Sequence, residues 1–175
     1  MAGGYAAGSA AQQGKFLINA VYAPSTVTTA ETFLWYNATP DVRIGLAHLW
    51  EQNAFRALAA VRLRKETPNA PALHMNAGVQ GIGTGNPGFS ATAEKNFAQS
   101  AGNLNFYAGI GYRSNEDHVH GLAGIKFQFK NNVTLGVQHE GHAAHPFVTY
   151  GYERYIFGVY LIEGKSPAYM IGARF

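Results

Sequence analysis

From His118 to Glu140 the chain reads HVHGLAGIKFQFKNNVTLGVQHE. Val119, Gly121, Ala123, Ile125, Phe127 and Phe129 are apolar or small, and the positions between them include His120, Gly124, Lys126, Gln128 and Lys130. A period of two puts these sets on opposite faces of a β-strand. Asn131-Asn132 interrupts the pattern, and the alternation resumes with Val133, Leu135 and Val137 against Thr134, Gly136, Gln138 and Glu140. Strands joined by so short a turn are antiparallel neighbours.

The same grammar runs outward in both directions. Segments of alternating pattern span residues 16–23, 29–38, 42–51, 54–65, 72–83, 89–97, 104–113, 118–130, 133–140, 147–152, 155–163 and 168–175. Between them stand turn formers such as Thr39-Pro40-Asp41, Thr67-Pro68-Asn69, Gly85-Asn86-Pro87-Gly88, Ser114-Asn115-Glu116-Asp117 and Gly164-Lys165-Ser166. This predicts about twelve strands, with about ten as the alternative if 16–38 or 147–163 each form one long strand. Helix competes only at AFRALAAVRLRK, residues 54–65. There the alternation decides for a strand, because a helix would scatter Arg56, Arg62 and Arg64 whereas a strand aligns them.

Charged residues make up 13% of the 175-residue chain, about half the soluble norm, while aromatics make up 13% and glycine contributes 21 residues. Mean hydropathy is -0.11, and no apolar run approaches the ~18 residues that a membrane helix needs. Few charges, many aromatics and no spanning helix fit a membrane β-barrel, where only alternate residues meet lipid. The absence of cysteine excludes disulfides, thiolate metal sites and thiol nucleophiles. Residues 1–15 are read as a flexible segment preceding one barrel domain, 16–175. The Gly/Ala/Gln-rich start lacks the charged and apolar regions of a secretory signal, which is expected to have been removed.

Alternation alone does not say which face is inside, since a soluble lipocalin-like barrel holding an apolar ligand has the same period reversed. Apolar-out is favoured here. The polar face is studded with glycine, which suits a crowded, curved interior, and a solvated exterior needs more charge. Aromatics also cluster near strand ends: Trp35, Tyr36, Trp50, Phe89, Phe97, Tyr112, Tyr152, Tyr155 and Tyr169 are expected in interfacial girdles.

The last strand carries a resemblance. Tyr169, Ile171, Ala173 and Phe175 alternate to a terminal phenylalanine, and in this the chain resembles small bacterial outer-membrane β-barrels of the porin-like class, from residue 16 to residue 175. Ala173 stands where that class often has tyrosine. The resemblance implies a closed antiparallel up-and-down transmembrane barrel in the bacterial outer membrane, with both termini facing the periplasm. It further implies a lipid bilayer as partner, and an assembly machinery reading Tyr169, Ile171 and Phe175.

Two constellations are candidates for chemistry. Arg43, Arg56, Arg62, Arg64, Arg113, Lys126 and Arg174 share the face read as luminal, with Lys130 at its end, so small anions are the expected solutes. Against a pore stands a filled interior in which such residues merely satisfy one another. The second constellation is His118 and His120 at one turn with His139, His142 and His145 at the next, near Glu116, Asp117 and Glu140. His139, His142 and His145 are a weak metal candidate and the rim a weak catalytic one, since the run straddles a hairpin and matches no helical ligand motif. No cofactor is expected. Gly81-Ile82-Gly83-Thr84-Gly85 is read as a hairpin turn, because no lysine or helix follows it as in a phosphate loop. Nucleic-acid binding is not expected, since aromatics and basic residues occupy opposite faces. The short outward loops argue against a receptor role and against a folded-in plug.

The leading expectation is a non-enzymatic barrel channel for small, anion-favouring solutes. The alternatives are a structural or assembly barrel with a filled interior, alone, as a homo-oligomer or within an envelope complex; a lipid-modifying enzyme using the histidine rim; and a soluble ligand carrier.

Overall fold

Turn chemistry sets the strand boundaries. Asn53, Asn132, Glu153 and Glu163 all sit at positive φ, as do several glycines in the connections; such residues supply the left-handed step that reverses a chain tightly. The computed structural model describes residues 14–175, so the expected flexible segment 1–15 lies outside the described residues except at its end. There Lys15 donates its backbone N–H to the Phe175 carbonyl at 2.6 Å.

Twelve strands form: β1 (Phe16–Tyr22), β2 (Ala30–Thr39), β3 (Val42–Leu49), β4 (Ala54–Arg64), β5 (Ala72–Val79), β6 (Pro87–Gln99), β7 (Gly102–Arg113), β8 (Val119–Phe129), β9 (Val133–His139), β10 (Ala144–Tyr152), β11 (Tyr155–Ile162) and β12 (Ser166–Arg174). Each pairs antiparallel with its sequence neighbours, and β1 closes on β12, Ile18 opposite Ala173 and Tyr22 opposite Tyr169. The architecture is therefore a closed up-and-down antiparallel barrel, with no helix among the described residues. The ten-strand alternative fails, because residues 23–29 separate β1 from β2 and a tight turn at Glu153-Arg154 separates β10 from β11. One end carries Phe16 and Phe175, the terminal end. The other carries the connections 23–29, 50–53, 80–86, 114–118, 140–143 and 163–165, the loop end.

The expected sidedness holds. Ile18, Leu34, Ile44, Leu46, Ile110, Ile125, Leu135 and Ile171 are all exposed on the outer face. Outer aromatics gather toward the two ends. Phe89 stacks on Tyr112, and His48 sits between Trp50 and Phe55, toward the loop end. Phe16 packs on Tyr36 and Phe97 on Phe106 toward the terminal end. From Phe89 to Phe97 along β6 is about 26 Å at ~3.3 Å per residue, or roughly 20 Å along the axis for strands tilted ~40°.

Trp35 corrects the girdle expectation. It shares parity with Glu31 and Phe33, points inward and is 3% exposed, with the Arg43 guanidinium 5.3 Å over its ring. It belongs to an inner apolar cluster with Leu17, Val21, Phe33, Leu49, Leu58, Ile156, Tyr160 and Met170. The interior is thus split. Strands β11, β12 and β1–β4 supply most of the apolar cluster, alongside Asn19 and Glu31, and β5–β10 supply His74, Ser90, Thr92, Glu94, Asn105, Lys126 and Gln138, alongside Val79, Tyr107 and Leu122.

Candidate functional site

Three regions of the interior bear on function: a closed mouth at the loop end, a cavity toward the terminal end, and a histidine rim.

The mouth is closed by the connection between β5 and β6. Instead of projecting as a hairpin tip, residues 80–86 fold inward: Gln80, Gly81, Ile82, Gly83 and Gly85 are buried, and Ile82 joins the inner apolar cluster. The Gly83 N–H donates to Glu31 Oε2 at 3.1 Å, and the Gly83 carbonyl accepts from the Thr28 N–H at 2.7 Å. Gly83 has φ +67 and passes so close to Thr26 that a Cβ would lie 1.9 Å from its Oγ1, so only glycine fits. This corrects the expectation that short loops leave the barrel without a plug. Seven residues suffice, because four of the inward ones are glycine or isoleucine and the opposite wall presents Glu31 and Thr28 to receive the loop's backbone.

On the far side of the mouth, Arg113 is buried between two loop carboxylates, 2.8 Å from Glu140 Oε2 and 3.4 Å from Glu116 Oε1. His145 accepts the Glu163 N–H at Nδ1 (3.1 Å), so Nε2 bears the proton and lies 3.2 Å from Glu140 Oε1. Burial would push the Glu140 carboxyl up. The His145 imidazole and the Arg113 charge outweigh it and hold the group below the ordinary carboxylate value. At Glu116, burial is likewise outweighed, here by hydrogen bonds from His120 and His142 and by Arg113.

The expected luminal cations divide. Arg43, Arg56, Arg113, Lys126 and Arg174 alternate inward with the buried set. Arg62, before the register shift and opposite His74, keeps the inward parity and is engaged by Asp41 at 2.6 Å near the β2–β3 turn. Arg64 lies past a register shift in β4, is exposed at the terminal end, and donates Nε to the Pro71 carbonyl at 3.2 Å; the bulge takes it off the luminal face. Lys130 is exposed in the β8–β9 turn. Lys126 interacts electrostatically with Glu94, whose Oε1 accepts from Asn105 Nδ2 at 2.6 Å. The ladder continues through Asn96 to Glu66, with Asn105 Nδ2 to Asn96 Oδ1 at 2.9 Å and Asn96 Nδ2 to Glu66 Oε2 at 2.6 Å. Lys126 and Arg174 line a cavity of about 190 Å³ with Gln138, Thr149 and Tyr160. It reaches the terminal end at Asn132 and Glu153, and the Arg174 Nε is buried there without a hydrogen-bond partner. An enclosed apolar cavity of about 150 Å³ holds benzene, so the space suits a small organic molecule.

The rim brings together fewer histidines than expected. His118, His120 and His142 cluster, with ring centroids 4.4 Å (118 to 120) and 4.3 Å (120 to 142) apart. His139 is on the outer face, opposite Ala123 and Ala144, and accepts the Gly141 N–H. His145 turns inward to Glu140. The candidate set His139, His142 and His145 is therefore not assembled: the odd separation from 139 to 142 crosses the turn, and strand parity sends 139 outward. The catalytic rim loses His139 for the same reason. Hairpin adjacency placed Glu116 near this rim; the cross-loop pair of Arg113 and Glu140 and the reach of Glu31 to Gly83 had no sequence signal.

The outward series of the last strand is as expected, with Tyr169, Ile171 and Phe175 at 50%, 53% and 60% exposure. No protein-family model matches this chain, and no curated protein is significantly similar to it, so the barrel rests on its own geometry.

Proposed function

We propose that this chain is an outer-membrane barrel that admits small anionic solutes through a partly basic lumen, in a conformation closed at the loop end. The observation that carries the reading is the cavity lined by Lys126 and Arg174 inside a closed barrel whose outer face is apolar. An apolar exterior with aromatics toward both ends fits a bilayer better than water, where so large an apolar surface invites association. Inside, Lys126 is faced by Glu94, and the Arg174 guanidinium, whose buried Nε has no hydrogen-bond partner, is the group that favours an anion in the cavity. In the orientation that the terminal strand implies, the cavity faces the periplasm and the loop of residues 80–86 faces outward.

Planar-bilayer recording tests this. The intact chain is expected to give rare, small current steps. Deleting residues 81–85 is expected to give sustained steps whose reversal potential in a KCl gradient favours chloride, and Lys126→Gln with Arg174→Gln to abolish that preference. Absence of current from both the intact chain and the loop deletion would sink the channel reading.

A second reading is favoured by a specific observation. Ile82 packs into an inner apolar cluster that occupies half of the wall, as in a filled barrel with a structural or assembly role. That role predicts no current from either form together with loss of stability when the loop is deleted.

A further inference from the structure

Solute passage makes no use of the side chains that converge above the mouth. We propose that Glu116, His120 and His142 form a binding site for one Zn²⁺-type divalent transition ion, which clasps the β7–β8 and β9–β10 loops together.

One donor atom from each of the three residues lies within 4.8 Å of the others. Both imidazoles aim Nε2 at the same carboxylate: His142 Nε2 is 3.0 Å from Glu116 Oε1, and His120 Nε2 contacts Oε2. Such convergence is the arrangement in which an ion replaces the shared protons. An ion ~2.0–2.2 Å from each of three donors needs them roughly 3.4 Å apart, so the cluster has only a small closure to make. His142 can make it, since its side chain is 47% exposed on a loop, while His120 and Glu116 are held at 5% and 15%.

The loop is shaped for this approach. Gly141 has φ +104, and a Cβ there would lie 2.3 Å from the His120 Cβ. Only glycine lets residues 140–143 pass this close to His120 and bring His142 Nε2 to the same carboxylate. The local charge also suits a cation, because the one guanidinium of Arg113 faces two carboxylates, Glu116 and Glu140. The donor chemistry selects the ion: two imidazole nitrogens and one carboxylate oxygen match zinc and its late first-row neighbours. Calcium and magnesium prefer oxygen throughout. Three protein donors leave a fourth position for water, reached from the exposed side of His142.

The test is titration of the full-length, detergent-folded, chelator-stripped chain with ZnCl₂ by calorimetry, followed by Co²⁺ substitution and visible absorption. Expected are one ion per chain at micromolar affinity or better, and tetrahedral-intensity ligand-field bands with Co²⁺. His142→Ala and Glu116→Gln should each weaken binding by about 100-fold or more, in line with the cost of disturbing a metal's ligand shell, and should erase the bands. His139→Ala, on the outer face, should leave both unchanged. His142 is exposed, so its variant keeps the fold, which β-sheet circular dichroism verifies. No stoichiometric uptake, or uptake that His142→Ala and Glu116→Gln leave within twofold, would overturn the site.

Discussion

The two halves of the barrel interior are built on opposite principles. Strands β11, β12 and β1–β4 turn Leu17, Val21, Phe33, Trp35, Leu49, Leu58, Tyr160 and Met170 into the lumen. Strands β5–β10 turn in a hydrogen-bonded ladder from Glu94, which faces Lys126 electrostatically, through Asn105 and Asn96 to Glu66 in the β4–β5 connection. On the outside both halves expose large apolar side chains. In the bilayer proposed above, an outward leucine would gain nothing by facing another apolar medium, whereas an inward one is stabilised by leaving water. The side of β11, β12 and β1–β4 therefore carries a core in the ordinary sense, although Asn19, Glu31, Arg43, Arg56 and Arg174 also turn inward there. The cavity follows this division, since its polar lining comes largely from β7–β10, with Ile156, Tyr160 and Arg174 as the facing wall.

Truncating the apolar half should break the comparison most severely. Phe33→Ala is expected to cost about 3–5 kcal/mol, the range for deleting a buried aromatic, read as the midpoint and slope of denaturant unfolding in lipid or detergent. Glu94→Ala in the polar half should cost less, about 1–3 kcal/mol, because Asn105 and Lys126 lose a buried partner that cavity water can partly replace. A loss as large as that of Phe33→Ala would erase the distinction between the halves.

Acid should sharpen the comparison from the loop end. The Glu140 carboxyl titrates below its ordinary value of 4.5 in the folded chain. Its ion pair is therefore fully stabilising above that pH, and the contribution is lost as pH falls through the folded value. Thermal unfolding scanned from pH 7 to pH 3 should show a decline below about pH 4.5 that is smaller in Glu140→Gln. An identical decline in the variant would assign it to other carboxylates. The smallest effect is expected at Arg64→Gln, beyond the bulge and off the luminal face: stability within ~0.5 kcal/mol and unchanged ion preference. A clear shift in reversal potential would return Arg64 to the proposed conduction path.

The strand pattern was legible wherever the faces differ in polarity. In β8, Ile125-Lys126-Phe127-Gln128 declares its sides without help. In β2, Phe33-Leu34-Trp35-Tyr36 is apolar on both faces, so period-two reading finds the strand but not its sides, and Trp35 was placed outside. The inner core lay hidden in that ambiguity. The glycines of residues 81–85 marked a reversal, but its inward direction is set by Glu31, Thr26 and Thr28, more than fifty residues away. The histidine rim was legible as a neighbourhood through hairpin adjacency. Which members meet depends on strand parity across a turn whose residue count decides it, so His120 and His142 converge while His139 does not.

Closure of the barrel by β1 on β12 has a consequence for how the chain can be made. Ile18 has Leu34 of β2 on one side and Ala173 of β12 on the other, so the second seam joins residues separated by nearly the whole chain and carries the largest loop-closure entropy of any in the sheet. Until β12 is laid down, β1 stands as an open edge, with unpaired N–H and C=O groups that invite any passing strand. Until the seam closes, a partly formed sheet is an adhesive half-ring. Whatever shields or templates that edge governs the yield of finished barrels more than the stability of the finished wall does.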